Sequence, residues 1–421
     1  MQISKATFVK LINIFSFLSL FLIPILTFGD TVPYSIYDAL TASLNHPKIQ
    51  ARKNESNAAT QKLQFSEWQR FPGVSVQSST AQSSFSQNGA TVVTTLRVEQ
   101  PLWTGGRISG TIDSNKAKVS ASEAAISEAE QELLLKTTNS FFNVIRFQKK
   151  IEISNQNILE HQRLLELIER RARGEVSSMS ELIFAKARLD LAKSENTQFK
   201  NQLKNNIADL ENYIGKPVDQ LSLFRSGFNL PKNEEELIKK TLEASPTLRR
   251  VEYEIEAAES DISVAKSSLW PQLSARSDQN FGGLMEGNVS YIAFTFAPGN
   301  GLSALSAKNE AIAKKEVSES LKKNAQLEIT NKVRSDWNQF LSEINQVETF
   351  SNLTQTTQGV YQSNVRQFEI GKKTWIEVLN SKRENTQANY SLADSEANYF
   401  SSGIRLQILI GDIMLGSLST H

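Results

Sequence analysis

Residues 91–107, TVVTTLRVEQPLWTGGR, carry the reading that decides the fold. Val92, Thr94, Leu96 and Val98 alternate with Val93, Thr95, Arg97 and Glu99, the period-2 signature of a strand with two different faces. The strand runs into Gln100-Pro101 and then Gly105-Gly106, a corner beyond which no proline occurs for more than a hundred residues. Upstream, Ser86-Gln87-Asn88-Gly89 supplies a turn with the favoured Asn-Gly pair, so residues 73–86 and 90–103 read as a hairpin of strands. Downstream, residues 108–173 read as one helix, far longer than the ~11 residues of an average helix.

The same succession occurs twice. His46-Pro47-Lys48-Ile49 answers Ser245-Pro246-Thr247-Leu248, and Phe71-Pro72-Gly73-Val74 answers Trp270-Pro271-Gln272-Leu273. Gln100-Pro101 answers Ala297-Pro298, Gly174 answers Gly371, Glu181-Leu182 answers Glu377-Val378, and Ile214-Gly215 answers Ile410-Gly411. An ordered series of this kind over both halves is the mark of duplication. The first repeat spans residues 34–231, with a long hairpin over 108–214. The second spans 232–412, with strands at about 272–282 and 287–297 and a hairpin over 302–411; residues 413–421 form a tail. The second strand pair turns at Gly282-Gly283 and at Glu286-Gly287.

Each repeat thus reads helix, strand, strand, very long helix, helix. The first helical piece breaks before Pro47, because the residue before a proline is pushed out of the helical region. The long helices carry heptad-like spacings: Val333, Trp337, Phe340, Ile344 and Val347 step by four and three, while Val144, Ile151, Ile158 and Leu165 step by seven. Leu392, Tyr399 and Leu406 keep the same step on the second partner helix. Antiparallel coiled-coil hairpins follow, turning at Gly174 and Gly371. His46 reads as a turn residue and His161 as a surface residue of the rod.

Composition narrows the function. The chain has 421 residues, 46 Lys+Arg against 45 Asp+Glu, no cysteine and three histidines. A net charge of +1 gives no electrostatic case for binding nucleic acid. Absence of cysteine removes disulfides, thiolate zinc sites, thiol nucleophiles and an acyl anchor on an N-terminal Cys. No GxxxxGK[ST] run occurs, so energy for any transport comes from a partner. Acidic residues are scattered beside Lys and Arg, as on solvated coiled-coil faces, so the sequence offers no catalytic constellation, cofactor fingerprint or metal-ligand cluster.

At the N-terminus, Lys5 and Lys10 precede an apolar run over residues 11–26, followed by Thr27-Phe28-Gly29, the layout of a secretory signal peptide covering residues 1–29. No later stretch reaches 18 apolar residues, so a membrane location requires β-strands. Phe71, Trp103, Trp270 and Phe296 sit at strand ends, where a membrane-interface girdle places aromatics. Four strands leave two unpaired edges in lipid, which forbids a single chain from spanning alone. Two chains supply eight strands, whose interior side chains fill; three supply twelve, which leave a lumen. A periplasmic coiled-coil structural or adaptor protein without a membrane pore is the competing reading, although adaptors typically carry one hairpin flanked by small β domains.

The corner QPLWTGGR from Gln100 and the run FEIGKKTWIEVLNSKRENTQANYSLADSEANYF from Phe368, with its upstream echo GEVSSMSELIFAKARLDLA from Gly174, resemble the TolC-type outer-membrane efflux protein family. The resemblance covers nearly all of residues 34–412. It implies a fold that is mainly α with a membrane β-barrel: a homotrimer whose four strands per chain make a twelve-stranded barrel in outer-membrane lipid. Below lie an α-barrel across the periplasm and a mixed belt around its middle. It implies export of small molecules or polypeptides, passively, with a periplasmic adaptor and an inner-membrane transporter as partners. It also places a periplasmic gate on Glu377 and Asn380, as ring positions, and on Phe368, Lys373 and Glu181, as latch positions. Asn380 departs from the family's acidic ring, Phe368 lacks a tyrosine's hydroxyl, and Lys373 lacks the guanidinium's bidentate fork. A latch between Lys373 and Glu181 is the expectation drawn from their matched places near the two tips.

Overall fold

The computed structural model describes residues 34–81, 91–218, 221–222, 227–282 and 286–413. The proposed leader, the Asn88-Gly89 turn, Gly283 and most of the tail lie outside those residues. Six elements occur twice in the same order. The first set is α1 (Ile36–Ser43), α2 (Pro47–Trp68), β1 (Gly73–Ala81), β2 (Thr91–Trp103), α3 (Arg107–Arg173) and α4 (Met179–Ile214). The second is α5 (Glu234–Ala244), α6 (Pro246–Ser267), β3 (Gln272–Phe281), β4 (Gly287–Thr295), α7 (Ser303–Glu369) and α8 (Trp375–Leu409), with a short 3-10 turn at Asn300–Leu302.

Both short-to-long helix breaks fall at a proline in the first helical position, where its missing N–H is no loss. His46 is more than a turn residue: its Nδ1 accepts from the Lys48 amide at 3.1 Å and so caps α2. At the strand-to-helix corner Gly105 has φ +59, and a Cβ there would lie 2.9 Å from the Trp270 Cβ, so the corner closes only around glycine.

α3 and α7 have 67 residues each and extend ~100 Å at ~1.5 Å per residue. Near the sheet they pack with α2 and α6; toward the tips, α4, α3, α8 and α7 lie side by side. α8 is packed between neighbours and buries a row of small residues that includes Ala388, Ala393, Ala397 and Gly403. α4 and α7 are the outer members, with few buried side chains for their length. The predicted seam on α7 holds at Val333, Trp337 and Phe340, but Ile344 is exposed, and the inward position there is Glu343, which accepts from Asn398 at 2.9 Å.

The main core lies midway along the rods. Phe141, Phe142, Val144, Trp337, Phe340, Ile404 and Leu406 pack there against α1 and α5. Phe228, on the segment joining the repeats, stands against Phe340 and Tyr399 with ring centroids 5.7 and 5.3 Å away.

The four strands form one antiparallel sheet in the order β1-β2-β3-β4, with β2 and β3 joining the two repeats. Register places Val74, Val76, Leu96, Val98, Phe281, Ile292 and Phe294 on one face, interspersed with Ser78, Thr94, Ser277, Gln279, Asn288 and Ser290. Ser75, Gln77, Thr95, Arg97, Glu99, Arg276, Asp278 and Tyr291 occupy the other. Phe71, Trp103, Trp270 and Phe296 are all exposed at the helical end of the sheet, with the Trp103 and Trp270 rings 6.4 Å apart. No helix among the described residues is long and apolar enough to cross a membrane, so the two-faced sheet is the membrane candidate.

Candidate functional site

Both hairpin tips are built by the same device. Ser178 and Thr374 cap α4 and α8 through their side-chain oxygens, and Glu181 and Glu377, three residues on, return bonds to the cap amides at 3.1 and 2.8 Å. The matched caps lie 196 residues apart, and this corrects the pairing of the turn residues. Gly371 has φ +76, and its counterpart at that spacing is Glu175, with φ +59; Gly174, with φ −86 and ψ 10, ends α3 at negative φ, just outside the right-handed helical region. The left-handed step of the first turn therefore falls on a residue with a side chain.

The expected Lys373–Glu181 pair does not form within the protomer. Lys373 Nζ, in the turn just before the α8 cap, donates instead to Glu377 Oε1 in the first turn of α8 at 2.6 Å, while Glu181 is held by Ser178. The Lys373 ammonium, followed by the Thr374 amide and hydroxyl, lowers the Glu377 carboxyl to about 2. Asn380 is exposed one turn further along α8.

Phe368 is 5% exposed and packs against Trp375, with centroids 5.5 Å apart, beside Leu164, Ile168, Ala185 and Val378. The Arg171 guanidinium, from the first hairpin, lies 4.6 Å from the centre of the Phe368 ring, and its Nη1 donates to the Phe368 carbonyl at 3.3 Å. Arg171 is thus a cross-hairpin tie that the sequence did not disclose, because its partners are a ring and a backbone oxygen on another helix.

Further ties climb the same junction. Tyr361 Oη donates to Glu160 Oε2 at 3.2 Å, Thr386 Oγ1 to Asn157 Oδ1 at 3.0 Å, and Tyr390 Oη to Glu195 Oε2 at 2.9 Å. Burial, aided by Glu160, raises the Tyr361 phenol's pKa, so it stays a donor. Lys382 is buried with its ammonium 5.1 Å from the Tyr361 ring centre, and burial lowers its pKa. His161 is no free surface residue of the rod: burial first, then Lys382 and Arg188, lower its pKa to about 4. The arrangement holds and orients helices. Among the described residues no group of His, Asp and Glu is placed to hold a metal ion.

Comparison with known proteins fits this architecture. The sequence profile of the outer membrane efflux protein family matches residues 40–216 and 237–412, one segment per repeat. The chain is 21% identical over 321 residues to the outer membrane protein TolC of Vibrio cholerae, covering 72% of this chain and 73% of that one. Among solved structures, the outer-membrane channel OprN superposes with a TM-score of 0.78 at 16% identity, over 89% of each chain. VceC, an outer membrane protein of Vibrio cholerae, superposes at 0.77 and 13% identity, over 89% of this chain and 96% of that one. The chain belongs to the outer membrane efflux protein family.

Proposed function

We propose that three copies of this chain form a passive exit duct from the periplasm through the outer membrane. The observation that carries the reading is the sheet: one face holds its Leu, Ile and Phe side chains and most of its valines, the other all four of its charged ones, and among the described residues the outer edges of β1 and β4 are unpaired; it stands on helices that extend ~100 Å. In lipid the edges of β1 and β4 must be paired, and the neighbouring chain offers the complementary edge. Twelve strands leave a lumen that eight do not. The face with the large aliphatic and phenylalanine side chains then meets lipid, and the face with the four charged ones lines the pore. Residues 1–29 direct export and are removed.

The duct takes its energy and cargo from an inner-membrane transporter through a periplasmic adaptor, and performs no chemistry of its own. Phe368, Lys373, Glu181, Glu377 and Asn380 lie at the periplasmic gate. There Arg171 holds the second hairpin to the first, and Lys373 offsets the charge of Glu377. With Asn380 uncharged, the ring exerts little field on passing ions.

The test is the protein-only mass of the membrane-extracted protein in mild detergent, by size exclusion with light scattering. Three chains per particle, from the outer-membrane fraction, is the expected result. A water-soluble monomer would overturn the duct and favour the adaptor-like reading.

A further inference from the structure

The polar face of the sheet carries a ladder of side chains at the join between the two repeats. Thr95 Oγ1 donates to Asn280 Oδ1 at 2.7 Å. On the next rung Arg97 grips Asp278 with two bonds, Nε to Oδ1 at 2.7 Å and Nη2 to Oδ2 at 2.8 Å. Beyond it Arg276 Nη2 donates to Glu99 Oε1 at 2.9 Å. Each pair is formed by residues directly opposite in the β2–β3 register, and Tyr291 from β4 adds a bond to Asp278 Oδ2 at 3.1 Å.

The two ion pairs run in opposite senses. Arg97 lies on β2 with its acid on β3, whereas Glu99 lies on β2 with its base on β3. The rungs therefore cancel in net charge and largely in dipole. Twelve strands spaced ~4.8 Å apart and tilted ~40° enclose a barrel of about 12 Å backbone radius. Side chains narrow that radius to the order of the ~8 Å screening length of physiological salt, so an uncancelled charge on this wall would act on passing solutes.

We propose that the Arg97–Asp278 and Glu99–Arg276 pairs make the barrel wall electrostatically silent, so that the outer-membrane half of the duct discriminates against neither anionic nor cationic cargo. The inference rests on the duct reading above. Neutralising the arginines unmasks two acids per chain and turns the wall into a cation trap; neutralising the acids does the reverse. A pair deleted or reversed as a whole leaves the wall silent.

The experiment is block of single-channel current by hexaamminecobalt(III) added on the barrel side of a planar bilayer. The variants are Arg97→Gln with Arg276→Gln, Glu99→Gln with Asp278→Asn, and the charge reversal Arg97→Asp with Asp278→Arg. The arginine-neutralised pores are expected to bind the blocker at least about tenfold more tightly than the unmodified protein, the Coulomb gain of a trivalent cation ~8 Å from an unmasked carboxylate in water. The acid-neutralised and charge-reversed pores are expected to bind it no better than the unmodified protein. Conducting arginine-neutralised pores with unchanged block would overturn the inference alone, as would equal block of the unmodified protein. Trimers of the unmodified protein that form no pore would overturn the duct reading and the inference with it.

Discussion

Replacing Arg171 with Gln removes the tie between the hairpin tips while leaving the apolar cluster around Phe368 in place. Two contacts are lost. A guanidinium over an aromatic ring at 4.6 Å contributes about 0.5–2 kcal/mol, according to how far it is desolvated. The bond to the Phe368 carbonyl, long at 3.3 Å, adds on the order of 1 kcal/mol. The sum, about 2 kcal/mol per protomer, changes a closed-to-open ratio by roughly thirtyfold per chain. Because the tie joins α3 to the end of α7, its loss acts on tip separation rather than on folding of either hairpin. The assay is open probability and conductance in planar bilayers, with thermal unfolding measured in parallel. The substitution should raise the open fraction with little change in melting temperature, and Arg171→Lys, which keeps a cation over the ring, should fall between. A conductance for Arg171→Gln equal to that of the unmodified channel, in a trimer of unchanged stability, would refute the reasoning.

Other perturbations test other parts of the argument. Glu175→Gly should stabilise the protein by about 1 kcal/mol, read as a raised melting temperature, because glycine takes the left-handed conformation without the Cβ penalty. Gly403→Ala should destabilise the mid-rod core, since a Cβ there would stand 2.4 Å from the Phe228 ring; an unchanged melting temperature would show that Phe228 swings aside freely. His161 has a folded pKa of about 4 against ~6.5 unfolded, so its contribution is present above pH ~6.5 and is lost as pH falls toward 4. The melting temperature of His161→Gln should accordingly fall less on acidification than that of the unmodified protein. Glu377, held at about 2, should remain ionised through pH 4, and Lys373→Ala should bring its titration up toward the ordinary range, measurable by isotope-edited infrared spectroscopy of the carboxylate.

What the sequence disclosed follows from which interactions have a local signature. Strand alternation, the proline corners, the twofold repeat and the long rods are all set by backbone preferences or by side-chain period, and both can be counted along the chain. Thr374 and Glu377, or Ser178 and Glu181, are likewise a motif of fixed spacing. Arg171–Phe368, Tyr361–Glu160 and Thr386–Asn157 have no such signature, for their partners lie some 200 residues apart and meet only when the hairpins are laid side by side. The absence of a Lys373–Glu181 pair within one chain shows the same limit from the other side. Matched position in two repeats does not make two residues neighbours, and the Glu377 carboxylate, in the first turn of the helix that Lys373 precedes, is the nearer partner. Gly174 and Gly371 are one residue out of register because glycine alone does not mark the turn: the caps fix the register and leave the left-handed step on Glu175.

The chain is open-ended at both levels. β1 and β4 end the sheet, and α4 and α7 end the row of helices near the tips. The outer helices carry apolar side chains that the protomer does not cover: Met179, Ile183 and Leu191 on α4, and Leu353 and Val360 on α7. Ile183 is 62% exposed, so replacing it with Glu disturbs nothing inside its own chain. In a ring where α4 of one chain meets α7 of the next, the same change buries a carboxylate without a partner, three times over, against aliphatic side chains. The cost per interface is several kcal/mol unless the group takes up a proton. Ile183→Glu should therefore abolish the trimer at neutral pH while leaving helix content intact, and acidification should partly restore assembly. Light scattering and circular dichroism on the same sample distinguish the outcomes. A trimer of undiminished stability at neutral pH would show that α4 faces water in the assembly, and that the ring closes along the strands alone.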